Sequence, residues 1–241
     1  MIVILLLFII MLKSTKILII NFFFINFIFQ ISFLFSEEIK LLDLIKKNNI
    51  FFYKESTIPF EGMITGKETG KIVNGKKNGL WRYYTSEGIL SYEENYISGL
   101  ENGSFKAYYE DGKLFTKGYF EKGKESGEWI SYHRSGKTRE VTNFVNGKEH
   151  GEWNFYYENG EIMSKGNFIF GEEEGQFKMF YSNGKLSSVE SFSKGIKDGI
   201  FQFFNEKSIL EEEKFYDMGK PVGEWKSFDE DGNLIESKNF N

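Results

Sequence analysis

Glycine recurs with a period of 24 residues from Gly75 to the end of the chain, and no insertion disturbs the register. The first mark of each unit falls at Gly75, Gly99, Gly123, Gly147, Gly171, Gly195 and Gly219, and a second glycine follows four residues later every time, from Gly79 to Gly223. A large aromatic stands six residues after each first glycine (Trp81, Phe105, Trp129, Trp153, Phe177, Phe201, Trp225), and another three residues further on (Tyr84, Tyr108, Tyr132, Tyr156, Phe180, Phe204, Phe228). A third glycine mark runs from Gly88 to Gly232 with Ser208 as its exception, and each unit closes on Tyr or Phe, from Tyr96 to Phe240. A fixed period of this length marks a repeat array, in which each unit is one supersecondary element too small to bury a core alone.

The spacing identifies that element. Pairs such as Asn159–Gly160 and Asp231–Gly232 are hairpin-turn signals, because glycine accepts the positive φ of a tight turn. The aromatic runs on either side are too short for helices and suit a pleated, half-buried surface. Each unit is therefore expected to be a β-hairpin turning at the third glycine, with the Gly-x-x-x-Gly segment as a wider turn into the next hairpin. The predicted fold is all-β, an elongated single-sheet array of antiparallel hairpins over residues 75–241. Fourteen strands at roughly 4.8 Å each make a sheet about 65 Å long. Trp153 and Tyr156 stand three apart, so strand alternation sends them to opposite faces unless a bulge intervenes.

Residues 50–74 read as an irregular opening unit, with an aromatic strand, a turn around Ser56–Pro59 and a second strand from Phe60. Residues 37–49 place Leu41, Leu42, Leu44 and Ile45 close to one helical face and are expected to form a short helix or linker. Residues 1–36 are nearly all apolar around Lys13 and Lys16, and are expected to form an N-terminal apolar leader helix, either a signal peptide or, over residues 17–35, a membrane anchor. Both readings place the remainder of the chain across a membrane, so the expectation is an exported protein, in the periplasm, the outer cell envelope or outside, with membrane contact only through this segment.

A formal net charge of −5 argues against nucleic acid as a partner, and the absence of cysteine removes disulfides and thiolate chemistry. His133 and His150 fall at different places of the unit with no nucleophile or acid repeated around them, so no catalytic, metal or cofactor site is expected. The acidic runs Glu172–Glu174 and Glu211–Glu213 lack the converging loop a hard cation needs and read as solvated charge. The aromatic rows are the remaining candidates. Trp81, Tyr84, Trp129, Tyr132, Trp153, Tyr156 and Trp225 are either a stacked core or a surface for a protein partner or a carbohydrate.

The stretch "GKEHGEWNFYYENG" (147–160) resembles the variant MORN repeat of bacteria, and "IPFEGMITG" (58–66) looks like the lead-in of such proteins. The resemblance covers residues 50–241. It implies hairpin arrays used for association without catalysis of their own, and it carries an antitoxin label of the YwqK type. The function expected from both lines is an exported scaffold that binds a protein partner, with a cell-envelope carbohydrate binder as the alternative and an antitoxin-like partner protein as a further one.

Overall fold

A computed structural model of the protein describes residues 38–240, and the leader expected over residues 1–36 lies outside them. Lys40–Asn241 form one compact unit. Antiparallel strands follow one another in chain order, and each pairs with the strand before and the strand after: Lys76–Tyr84, Leu90–Ile97, Leu100–Tyr108, Leu114–Glu121 and onward to Leu234–Phe240. Leu234–Phe240 pairs only with Lys220–Phe228, and Gly62–Ile64 only with Glu68–Val73, so among the described residues the sheet is open, with these two strands as its edges. The all-β single-sheet reading holds.

The turns correct one detail of that reading. Val145 pairs with Lys148, which leaves Asn146 and Gly147 as a two-residue loop with φ of 55° and 77°. Two consecutive left-handed residues make the type I′ turn, whose twist matches that of the flanking strands. The same turn recurs at every first glycine, and even Phe170 and Met218 are held there at φ of 52° and 45°. The third glycine sits in the wider connection. Tyr157 N donates to Glu161 O at 2.9 Å and Gly160 N to Tyr157 O at 2.9 Å, a type I turn closed by left-handed Gly160. The hairpin does turn at Asn159–Gly160, but the tighter bend is the one at Gly147. The second glycine is not a turn at all: Glu94 pairs with Phe105 and Tyr96 with Glu101, so Asn95 faces a bulge of three residues centred on Gly103.

The helix expected over 37–49 is absent. Leu41–Asp43 make a single 3-10 turn, and Leu44–Lys47 continue as a strand paired with Ile50–Tyr53. A dozen residues form a marginal helix on their own, whereas Asn48 and Asn49, at φ of 49° and 62°, close a two-residue turn that lets this segment pair with an aromatic strand. In the opening segment Lys54 and Glu55 turn the chain ahead of the expected Ser56–Pro59, Phe52 bridges Pro59, and the second strand runs over Gly62–Ile64, two residues later than the expected start at Phe60. This hairpin is tied to the array by Phe51 N donating to Gly75 O at 2.8 Å and Gly75 N to Phe60 O at 2.8 Å.

Candidate binding face

The aromatics six residues after the first glycine and those that close each unit form one row of rings on a single face. Phe105 and Phe120 meet at 5.6 Å, Phe120 and Trp129 at 5.2 Å, Trp129 and Phe144 at 6.0 Å, mostly edge to face. The row resumes at Trp153–Phe168 (6.2 Å) and runs through Phe177, Phe192, Phe201 and Tyr216 to Trp225–Phe240 at 4.6 Å. Such contacts add to the area each ring buries, so the spine is what one hairpin contributes to the next.

Glycines admit the rings. A Cβ on Gly118 would stand 2.1 Å from the Trp129 ring, one on Gly70 would stand 2.4 Å from Trp81, and one on Gly166 would stand 2.3 Å from Phe177. These strand glycines stand 48 residues apart, with Lys214 in the next such place, and their spacing is a signal that the turn glycines do not carry. A second ladder was missed. The hydroxyls of Tyr109, Tyr157 and Tyr181 donate to the carbonyls of Tyr132, Phe180 and Phe204 at 2.7, 2.8 and 2.6 Å. His133 takes the same place, its Nε2 standing 2.9 Å from Tyr156 O. Its acceptor is a carbonyl, so Nε2 donates, and the residue is a rung of the ladder.

The sequence candidates divide between the two faces. Trp81 is 0% exposed and Trp129 9% exposed, so neither is a ligand surface, and Trp153 and Trp225 are half-buried in the same spine. The second row turns the other way. Lys117, which pairs with Ile130 on the far face, covers the Tyr132 ring at 5.8 Å, and the Tyr108 hydroxyl donates to Glu93 on that face. Burial, reinforced by Glu93, raises the Tyr108 phenol above its ordinary value. Tyr84, Tyr132 and Tyr156 are all half-buried. The bulge that does occur near Tyr156 adds Met163 to the partner strand, and the alternation of Trp153 and Tyr156 is preserved. The seven candidates therefore do not make one surface.

Where the array begins, the spine carries a polar network. Lys77 Nζ bonds Glu68 Oε2 at 3.0 Å and the Tyr83 hydroxyl at 2.8 Å, and it lies 4.3 Å from the Trp81 ring centre. Tyr83 and Tyr96 share a hydroxyl hydrogen bond of 2.9 Å, and Tyr96 donates to the Glu94 carboxylate. Burial first, then the Tyr96 hydroxyl, pushes the Tyr83 phenol far above its ordinary range; burial and the Glu94 carboxylate do the same to Tyr96. Among the described residues, no three or more of His, Asp and Glu converge to hold a metal ion, and no helix is long and apolar enough to cross a membrane.

The chain matches the model of the MORN repeat variant over residues 77–98, 101–122, 125–146, 149–169, 173–194 and 221–241. These segments begin beside the first glycine of a unit and end near its closing aromatic. The hairpin of Ile196–Phe204 and Leu210–Asp217 lies between the last two and keeps the same pairing. No curated protein matches the chain.

Proposed function

Because the chain belongs to the MORN repeat variant family, we propose that it is an exported scaffold that binds a protein partner along the face carrying the spine. The observation that supports this most is the spine itself. It repeats one surface at each hairpin and holds those surfaces in line by ring contacts. Stacked repeats of this kind suit an extended partner better than a compact small molecule. Export rests on the apolar leader and its lysines, Lys13 and Lys16. A phosphatase fused after Asn241 is expected to be active outside the cytoplasm, and a fusion active only as a cytoplasmic reporter would overturn that part.

The binding reading is tested by presenting the purified full chain, immobilised, to the proteins of its cell of origin and, in parallel, to a glycan and peptidoglycan panel. Saturable capture of a protein, lost when spine-face residues are changed, is the expected result. Retention of glycans alone would transfer the assignment to the carbohydrate-binding alternative.

A further inference from the structure

The spine face repeats a second feature beside its rings. In the register of the sheet, each closing aromatic stands opposite the residue two positions after the next first glycine. Tyr96 faces Glu101, Phe120 faces Glu125, Phe144 faces Glu149 and Phe168 faces Glu173. In the first and sixth units the same place holds lysine, Lys77 opposite Ile72 and Lys197 opposite Phe192, and in the last it holds Pro221 opposite Tyr216.

The two lysines show what the place accepts. The Lys77 ammonium lies 4.3, 4.8 and 5.4 Å from the ring centres of Trp81, Tyr83 and Tyr96. Lys197 repeats this at 5.0 Å from Phe201 and 5.1 Å from Tyr216. In both units a spine ring and the closing ring offer their negative faces to one cation. The four units between them keep the ring pair, as Phe105–Phe120, Trp129–Phe144, Trp153–Phe168 and Phe177–Phe192. There the ammonium is replaced by a carboxylate, and none of the four has a hydrogen-bond or ion-pair partner among the described residues. Trp129 and Phe177 are themselves buried, so what each of the four units presents together is its half-buried closing ring (Phe120, Phe144, Phe168 or Phe192) and one half-buried carboxylate. At the middle of the row a recess of about 500 Å³ opens beside Phe144 and Glu149, walled by the exposed Phe170 ring, Lys148 and Glu172.

We propose that Glu101, Glu125, Glu149 and Glu173, with the ring pairs beside them, form a row of cation seats for an extended basic segment of the partner, one Lys or Arg side chain per unit. The proposal rests on the scaffold reading above and gives its partner a chemistry. Successive seats are two strands apart, roughly 10 Å. A chain extended as a polyproline II helix, with three residues per turn and about 3.1 Å rise, covers that distance in about three residues while keeping every third side chain on one side. The matching ligand therefore carries a positive charge at every third residue. Its ammonium or guanidinium groups stand in the four central units where Lys77 and Lys197 stand in the units on either side. Burial holds the carboxyls of Glu125, Glu149 and Glu173 above their ordinary value, and neighbouring carboxylates add to it, Glu140 and Glu125 at Glu149 and Glu190 at Glu173. The seats thus carry an unmet demand for positive charge.

The test titrates the full chain with a peptide bearing lysine at every third residue, beside versions with lysines at every second residue and with glutamates in place of lysines. Glu125→Gln/Glu149→Gln is compared with Glu128→Gln/Glu152→Gln, which removes equal charge from the far face, where Glu128 pairs with Asn143 and Glu152 with Asn167. The inner pair is expected to weaken binding about tenfold, from roughly threefold per half-buried cation seat, and the outer pair to leave it unchanged. Melting of both variants at or above the parent's temperature confirms that each is folded. Equal losses in the two variants, indifference to lysine spacing, or no binding of the basic peptides overturns the proposal. If the immobilised chain captures a protein that the inner variant retains fully, the cation row falls and the scaffold reading stands. If the peptide binds through the inner pair while no protein is captured, the row stands and the scaffold reading falls.

Discussion

Trp81 and Trp225 hold the same place in the repeat, yet the first is sealed and the second half-exposed. Both indoles donate to a carbonyl of the preceding strand, Trp81 Nε1 to Lys71 O at 3.1 Å and Trp225 Nε1 to Phe215 O at 3.0 Å. What differs is the surroundings. Trp81 lies on Gly70 beneath Lys77 at the capped start of the array, where Ile64 and Ile72 are also fully buried. Trp225 lies between Tyr216 and Phe240 beside an edge strand, Leu234–Phe240, that is exposed along nearly its whole length. One repeat pattern therefore yields a core at one end and a half-covered ridge at the other. The pattern specifies ring placement, while burial depends on what neighbours each ring.

This comparison makes the largest expected effect asymmetric. Trp81→Ala removes a fully buried indole and is expected to cost about 3–5 kcal/mol, whereas Trp225→Ala, half-exposed, should cost roughly half as much. In an array held by nearest-neighbour contacts the losses stay local. Amide hydrogen exchange of the full chain should show faster exchange around Lys76–Tyr84 in the first variant and around Lys220–Phe228 in the second. Equal costs at the two places would mean that burial does not distinguish them.

Next in size is Gly118→Ala. Its added methyl meets the Trp129 ring at 2.1 Å, so the ring or the strand must shift, at about 1–3 kcal/mol for overpacking. Changing Thr142, which pairs with Trp129 from the other side, to Ala should have a far smaller effect. Thermal unfolding of the two variants checks this, and equal melting temperatures would show that the glycine is not needed to admit the ring.

Lys77 and Lys214 offer a third contrast. Lys77 is tied to Glu68 and to the Tyr83 hydroxyl and lies close to three rings, while Lys214, near the open edge, has a more exposed ion pair with Glu212 and lies 5.6 and 5.7 Å from the Trp225 and Phe203 rings. Lys77→Met leaves Glu68 and the tyrosine pair without their cation and should cost about 1–3 kcal/mol; Lys214→Met should cost under about 1 kcal/mol. Chemical denaturation followed by tryptophan fluorescence reports both.

These contrasts also show what the sequence made legible. The hairpin array, the ring row and the irregular opening unit follow from glycine and aromatic spacing, because one period forces one local structure. The tighter bend at the first glycine is signalled by Asn74–Gly75 and Asn146–Gly147, pairs that suit a type I′ turn, whereas Phe170 or Lys194 before a glycine gives no such signal. The helix expected over 37–49 failed because amphipathic spacing in a short segment does not outweigh a strand partner such as Ile50–Tyr53. The division of Trp81 and Tyr132 between faces was available from strand parity alone, whereas the difference in burial between Trp81 and Trp225 depends on contacts that repeat spacing does not encode.

The smallest expected effect concerns pH and separates the middle of the array from its start. At Lys77 the cation is built in, and Glu68 is its partner. At Glu125, Glu149 and Glu173 no ion pair forms among the described residues, and burial first, then like charge at the latter two, raises each carboxyl above its ordinary value of 4.5. A carboxyl whose folded value is raised binds its proton more readily in the folded chain than in the unfolded one. Its contribution to stability is therefore fully present below the unfolded value and is lost as pH rises through the folded one. At neutral pH these three groups are ionised and slightly oppose the fold. Glu125→Gln/Glu149→Gln/Glu173→Gln should thus melt a few degrees above the parent at neutral pH, and the difference should vanish below the carboxylate range. Glu68→Gln, which breaks an existing ion pair, should move the melting temperature in the opposite direction at neutral pH. A triple variant that melts below the parent at neutral pH would mean that the central carboxylates are satisfied as they stand, and that the middle and the start of the array do not differ in their need for a cation.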